Sequence, residues 1–98
     1  MPDNLTRALV LINKDFDLDI DNSEVENHDA FLAALARVIQ HLLDKDFERL
    51  INGLYRIDVS EEKVKQAFAS QDNIAETIAK LIIERELQKV ATREKYKS

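Results

Sequence analysis

The sequence predicts an all-α protein, a small domain of five helices packed as a bundle or at orthogonal angles, with a long helix at its C-terminal end. One glycine and one proline among 98 residues are too few for the many turns of an all-β fold. Ala, Leu, Ile, Glu, Lys, Arg and Gln dominate the composition, and these residues favour helix. The length indicates a single domain that covers residues 1–98.

Residues 73–95 form the longest uninterrupted helical pattern. Apolar residues fall on two roughly opposite faces of this helix, Ile74, Ile78 and Leu81 on the first and Ile83, Leu87 and Val90 on the second. A helix on the rim of a bundle needs only one apolar stripe. This helix is therefore either the central helix of the monomer or shared between the monomer's core and a partner. Five residues are expected on its solvated side, namely Glu84, Arg85, Glu86, Gln88 and Lys89.

The first two helices follow from apolar residues at three- and four-residue spacing. The first is predicted for residues 3–13. The run 9–12 is apolar on every side, so a short buried strand is an alternative there. The second helix is predicted for residues 28–44, with the side chain of Asn27 or Asp29 as its N-cap.

The third helix is predicted for residues 46–57, with two alternatives at Gly53, which follows an asparagine in the strongest turn signal of the chain. In the first alternative, which the continuing apolar stripe favours, the helix runs on and Gly53 lies on its polar face. In the second alternative, residues 54–59 are extended. A fourth helix is predicted for residues 60–69, because Ser60 is a good N-cap and two glutamates follow it.

Residues 14–27 connect the first two helices and are strongly acidic. Aspartates alternate there with three apolar residues, Phe16, Leu18 and Ile20. A period of two places the apolar side chains on one side of an extended segment. We therefore expect an ordered loop or short strand that lays these side chains on the helices. A connection this long in a compact domain needs something to hold it.

The same segment partly matches a calcium-binding loop of the EF-hand type. Such a loop needs oxygen ligands at fixed positions, a glycine at its sharp turn and an aliphatic residue shortly after it. The ligand positions are occupied by four carboxylates, Asp15, Asp17, Asp19 and Glu26. Ile20 stands in place of the glycine and Asn22 in place of the aliphatic residue, so the charges fit and the backbone does not. We predict no metal site, with the four carboxylates as weak candidates for Mg²⁺ or Ca²⁺ ligands.

Composition excludes several classes of chemistry. The chain has no cysteine, which excludes disulfides, thiolate metal sites and cysteine nucleophiles. His28 and His41 lack the paired spacing of a helical metal site, and a single glycine cannot form a phosphate-binding loop. No apolar run is long enough to span a bilayer and no signal peptide opens the chain, so a cytoplasmic location is expected. We predict no catalytic residues, no cofactor and no enzymatic activity.

The net charge of −5 is unevenly distributed along the chain. Residues 1–30 hold eight acidic against two basic residues, and from Lys89 onward four basic residues face one acidic residue. The acidic N-terminal part and the basic C-terminal part can attract each other, within one chain or between two chains. Ordinary solvated surfaces are the alternative interpretation.

Nucleic-acid binding is an alternative function, because residues 46–57 and 60–69 resemble a helix-turn-helix in outline. The second helix of this pair carries three side chains that suit contacts to phosphates or bases, Lys63, Lys65 and Gln66. It also carries two acidic side chains that would repel phosphates, Glu61 and Glu62. The negative net charge is unfavourable for this function. A weak nucleic-acid-associated regulator would use the basic C-terminal helix. A divalent-cation-responsive acidic loop is a second alternative.

Protein–protein association is the function that the sequence favours. A two-faced long helix, an asymmetric charge distribution and a small size are typical of an interaction or regulatory module. We expect the chain to form a homodimer through the second apolar face of the long helix. The residues expected at this interface are Ile83, Leu87, Val90 and Tyr96.

Overall fold

The structure, a computed structural model, describes the backbone of residues 4–97 and the side chains of this range except those of Glu24 and residues 93–97. The elements are α1 (Asn4–Phe16), a 3₁₀ turn (Asn22–Glu24), α2 (His28–Lys45), α3 (Phe47–Ile57), α4 (Glu61–Ser70) and α5 (Ile74–Lys97). No strand occurs within residues 4–97, so the prediction of an all-α fold with five helices is confirmed.

The central helix of the fold is α5, which packs against each of the other four helices. Ile78 and Ile82 are fully buried on its first face, and Ile83 is fully buried on the second. Both apolar stripes therefore lie in the single hydrophobic cluster that the helices share. Of the two sequence alternatives for this helix, the structure agrees with the central helix of the monomer.

The first helix is longer than the sequence predicted. It continues to Phe16, which is buried, and it includes the run 9–12 for which a strand was the alternative. Asp17 follows the last residue of α1, and its positive φ of 55° ends the helix. The backbone N–H of Leu18 then donates to the carbonyl oxygen of Asn13 at 2.8 Å.

The acidic segment after α1 is held by the side chain of Asn13. Its Nδ2 donates to the carbonyl oxygen of Ile20 and its Oδ1 accepts from the N–H of Ile20, both at 3.1 Å. Ile20 and Val25 are buried and Leu18 is partly buried, so the segment does lay apolar side chains on the helices. Of the two alternatives for this segment, an ordered loop or a short strand, the structure shows the loop, with a 3₁₀ turn at Asn22–Glu24.

Asp46 separates α2 from α3 and stabilises the ends of both. Its backbone N–H donates to the carbonyl oxygen of Leu42 at 2.9 Å, and its side chain accepts from the N–H of Arg49 at 3.3 Å. Helix α3 continues through Gly53 to Ile57. The alternative in which residues 54–59 are extended is therefore wrong for residues 54–57, which are helical.

Gly53 does not lie on the polar face of α3, so the prediction for its position is wrong. It is buried, and the ring of Phe16 occupies the space beside its Cα. The helical pattern identified the helix correctly. A glycine has no side chain, so its residue type does not indicate whether its position is buried or exposed. The close approach of α1 and α3 is the physical reason for a glycine at this position.

Candidate functional site

A tight turn joins α3 to α4 and sets the geometry of the surface between them. Asp58 adopts a left-handed conformation, with φ of 59° and ψ of 47°. The N–H of Asp58 donates to the carbonyl oxygen of Tyr55 at 3.2 Å, and the N–H of Val59 donates to that of Leu54 at 3.4 Å. This pair of hydrogen bonds is a Schellman motif, which closes a helix and brings the residue after it back onto the last turn. The side chain of Ser60 then accepts from the N–H of Lys63 and starts α4, as the sequence predicted.

The turn leaves an open groove between α3 and α4, called here the α3–α4 groove, with a volume of about 390 Å³. Its floor is formed by five mainly apolar side chains, Ile51, Leu54, Tyr55, Val59 and Val64. Its rim carries three charged side chains, Asp58, Glu61 and Lys65. The groove therefore combines an apolar floor with a rim that has more negative than positive charge.

Three apolar residues follow one another at four-residue spacing along α3, and the last two of them, Ile51 and Tyr55, line the groove. Phe47 and Tyr55 have exposed fractions of 48% and 70%, and Ile51 is partly buried between them. Phe47 also contacts Phe68 of α4 edge to face, with ring centroids 5.8 Å apart. Residues four apart lie on the same side of a helix. The row makes a second apolar face on a short helix whose first face is already in the core.

The charges on the rim are accessible to solvent. The Asp58 side chain is 90% exposed, although it lies 3.9 Å from the guanidinium of Arg85. Glu61 and Lys65 are exposed as well. An exposed ion pair at this distance contributes little to stability. The rim carboxylates therefore remain available to a cationic group from outside the chain.

The residues predicted for a dimer interface lie in different environments. Ile83 and Val90 have exposed fractions of 0% and 3%, because the chain's own helices cover them. Leu87 is partly buried and packs against the core. The side chain of Tyr96 lies outside the described residues.

The predicted metal ligands do not form a cluster. Asp15 is the last but one residue of α1, while Asp17, Asp19 and Glu26 are exposed along the segment that follows. Among the side chains that the structure describes, no three histidines or carboxylates come close enough together to hold a metal ion. Asp21, in the same segment, accepts from the N–H of Ser23, and this hydrogen bond holds the pKa of its carboxyl below the usual range.

The sequence pattern also predicts Glu86 on the solvated side of the long helix, and this prediction is wrong. The side chain of Glu86 has an exposed fraction of 0%. Its position follows Ile82 by four residues and precedes Val90 by four, which is the spacing of a core residue. That spacing could have identified Glu86 as buried, but its charge argued for the opposite.

Burial and the nearby carboxylate of Asp15 raise the pKa of Glu86 to about 7, although Lys89 acts in the opposite direction. The Lys89 Nζ lies 3.6 Å from Glu86 Oε1, and neither oxygen of the Glu86 carboxyl has a hydrogen-bond partner. A buried carboxylate without hydrogen bonds is costly, so the neutral acid is favoured.

Comparison with known protein families, with curated proteins and with solved structures gives no match for this chain. No helix among residues 4–97 combines the length and the apolar character that crossing a membrane requires.

Proposed function

We propose that the protein is a non-enzymatic interaction module that binds an amphipathic helix of a partner protein in the α3–α4 groove. The observation that carries this proposal is the exposure of Tyr55, which lines the groove and has an exposed fraction of 70%. Scattered exposed apolar residues are ordinary on protein surfaces, whereas apolar residues gathered in one concave surface mark binding sites.

A helix fits this groove because the groove is itself bounded by two helices. Helix-in-groove recognition places apolar anchors of the ligand, spaced by three or four residues, between two helices of the receptor. The row formed by Phe47, Ile51 and Tyr55 has the matching four-residue spacing. Tyrosine and phenylalanine bring a large contact area at a small entropic cost, which is why aromatic residues are enriched at interfaces.

The charges select a ligand helix with basic residues beside its apolar stripe. Asp58 and Glu61 on the rim outnumber Lys65, and the whole chain carries a net charge of −5. A cationic ligand is attracted at long range by the net charge and at short range by the rim. An acidic amphipathic helix of the same apolar pattern would be repelled.

Self-association through α5 is less well supported than binding through the groove. Ile83 and Val90 are buried in the single chain, so a dimer formed on this face would have to displace the helices that cover them. The groove needs no such rearrangement. A second copy of this chain in the groove is an alternative occupant that the experiment below distinguishes.

The probe for this experiment is a fluorescently labelled peptide of about four helical turns, with leucines at helical spacing and lysines on the remaining positions. A matched peptide carries glutamates in place of the lysines. Binding to the whole protein is measured by fluorescence anisotropy, and light scattering at the same concentrations gives the mass of the free protein.

Two variants distinguish peptide binding in the groove from non-specific binding elsewhere on the protein. Tyr55→Glu places a charge on the groove floor, and Val10→Glu introduces the same residue at a position on α1 that is 61% exposed and does not line the groove. Burying a large apolar side chain contributes about 1.5–3 kcal/mol, so Tyr55→Glu should weaken lysine-peptide binding at least about tenfold. Val10→Glu should leave it unchanged.

We expect the lysine peptide to bind and the glutamate peptide not to bind, with more salt weakening the binding. Equal binding to the wild type and to Tyr55→Glu, or no binding of the lysine peptide, would contradict the proposal. A dimeric wild type that Tyr55→Glu converts to a folded monomer would assign the groove to a second copy of this chain.

A further inference from the structure

Glu86 of α5 is the one carboxyl among the described side chains that is fully buried, and Asp15 of α1 lies close enough to raise its pKa. Neither of its oxygens accepts a hydrogen bond, and the ammonium of Lys89 reaches only one of them, at 3.6 Å. Core positions at this spacing on α5 are otherwise aliphatic or alanine, such as Ile82 and Val90. A buried charge with so little compensation has to be neutralised or hydrated.

The charged groups that act on Glu86 come from two helices. Asp15 faces it from α1 and Lys89 from its own helix, and no described charged side chain of α2, α3 or α4 contributes to the shift of its pKa. Arg56 of α3 lies nearby but donates to the backbone oxygen of Asp15, at 3.0 Å. Arg85, the neighbour of Glu86 in sequence, donates to the carbonyl oxygen of Ile57, at 2.9 Å.

Because Asp15 is close to Glu86, the stability of the contact between α1 and α5 depends on whether Glu86 carries a proton. A neutral Glu86 removes the repulsion between the two carboxyl groups in this contact. Two ionised carboxylates at this place would repel each other, and one of them would have no access to water. The repulsion falls when the two helices separate, because Glu86 is then hydrated.

Helix α1 is the element that carries Asp15, and its main contacts are with α3 and α5. Residues 17–27, which are irregular apart from one 3₁₀ turn, connect it to α2. The segment bears further exposed carboxylates at Asp17 and Asp19, which add to the negative charge at this end of α1. Helix α5, in contrast, is held by α2, α3 and α4 as well.

We propose that the proton on Glu86 controls the docking of α1: the helix stays packed on α5 while the carboxyl is neutral and separates from it when the carboxyl ionises. The fold thereby contains a pH-sensitive switch whose moving part is α1. This inference is independent of the α3–α4 groove, because no residue of α1 lines that groove.

The chain has no cysteine, so a single introduced thiol reports the opening of one helix. Ala8→Cys places the thiol on the buried face of α1, and Ala34→Cys places it on the buried face of α2 as a matched control. Each is made in the wild type, in Glu86→Gln and in Glu84→Gln, where Glu84 is an exposed neighbour on the same helix. Leu11→Cys, partly buried on α1, replaces Ala8→Cys if that variant does not fold.

The rate of reaction with dithiodipyridine is measured at several pH values. The ratio of the rate in the wild type to the rate in Glu86→Gln cancels the ionisation of the thiol itself. At position 8 we expect this ratio to rise at least about tenfold between about pH 5 and about pH 8. At position 34 it should change much less, and Glu84→Gln should behave as the wild type at both positions.

A ratio at position 8 that stays constant with pH would overturn the proposal. An equal rise at positions 8 and 34 would also overturn it, because ionisation would then open the whole protein rather than α1. A carbon-13 NMR titration of the unsubstituted protein provides a second measurement. Titration of the Glu86 carboxyl near neutral pH supports the switch, and titration at its ordinary value of 4.5 refutes it.

Discussion

The aromatic ring of Phe16 in α1 lies against the backbone of Gly53 in α3, in the space that the Cβ of any other residue at position 53 would need. The atoms nearest to such a Cβ are Cδ1, Cε1 and Cγ of the Phe16 ring. Both residues are buried. Gly53 has no positive φ, so the close approach of the two helices, and not the conformation of the backbone, requires glycine here.

Gly53→Ala should therefore destabilise the protein, although alanine is the better helix former by about 1 kcal/mol. Overpacking a core position costs about 1–3 kcal/mol, so we expect a net loss of stability in urea denaturation. Asn52→Ala, at the exposed neighbouring position of the same helix, is the control and should be neutral or stabilising. The double variant Gly53→Ala with Phe16→Leu should recover part of the loss, because the two residues contact each other. A Gly53→Ala protein as stable as the wild type would refute the close contact.

Asn13→Ala should loosen the acidic segment. The Asn13 side chain makes two hydrogen bonds to the backbone of Ile20, and its loss leaves both backbone groups without a protein partner. The expected loss of stability is about 1–3 kcal/mol, with faster proteolytic cleavage within residues 17–27. Lys14→Ala, an exposed substitution on the same helix, should change neither quantity. Equal cleavage rates in Asn13→Ala and the wild type would show that the segment is held by other contacts.

Ser60→Ala should remove the N-cap of α4, because the side chain of Ser60 accepts the N–H of Lys63. N-cap substitutions of this kind cost about 1 kcal/mol. The matched variant Ser60→Asp keeps an acceptor at the cap and should retain the stability of the wild type. The free energy of unfolding from urea titrations distinguishes the three proteins. If alanine and aspartate have the same effect, the cap does not stabilise the helix.

The stability of the protein should fall as the pH rises from about 4.5 to about 7. The pKa of Glu86 is raised from its ordinary value of 4.5 to about 7, so the folded state holds the proton more tightly than the unfolded state does. The stabilisation is complete below pH 4.5, is lost on the way to pH 7 and does not change further above it. Its size is about 3 kcal/mol at most.

Glu86→Gln should remove this pH dependence and be more stable than the wild type at about pH 8, since it buries no charge. Glu84→Gln, on the exposed face of α5, should retain the dependence. Urea titrations at a series of pH values give the comparison. Parallel curves for the wild type and Glu86→Gln would show that Glu86 does not titrate in this range.

The sequence predicted the helices well, because each of them repeats a pattern. Apolar residues at three- and four-residue spacing located all five helices, and a serine before two glutamates located the start of α4. The predictions failed at positions where the type of residue does not match the face of the helix on which its spacing places it. Gly53 has no side chain to assign it to a face, and the charge of Glu86 suggested solvent at a core position.

The candidate site was not predictable in the same way. Ile51 and Tyr55 follow the helical spacing of α3, and nothing in this spacing shows that α4 leaves them partly uncovered. Whether a second apolar face is covered depends on the direction in which the next helix returns. That direction is set by the left-handed Asp58 and the cap at Ser60.

The sequence by itself determined the class of this protein, the order and approximate ends of its helices, and the chemistry that it lacks for want of cysteine and glycine. These properties depend on composition and on local periodicity, which do not require knowledge of distant neighbours. Only the tertiary structure decided which apolar faces are covered, why position 53 is glycine, and that Glu86 and Asp15 oppose each other. Those properties depend on contacts between helices that are far apart in the chain, and the packing of α1 and α4 around α5 creates them.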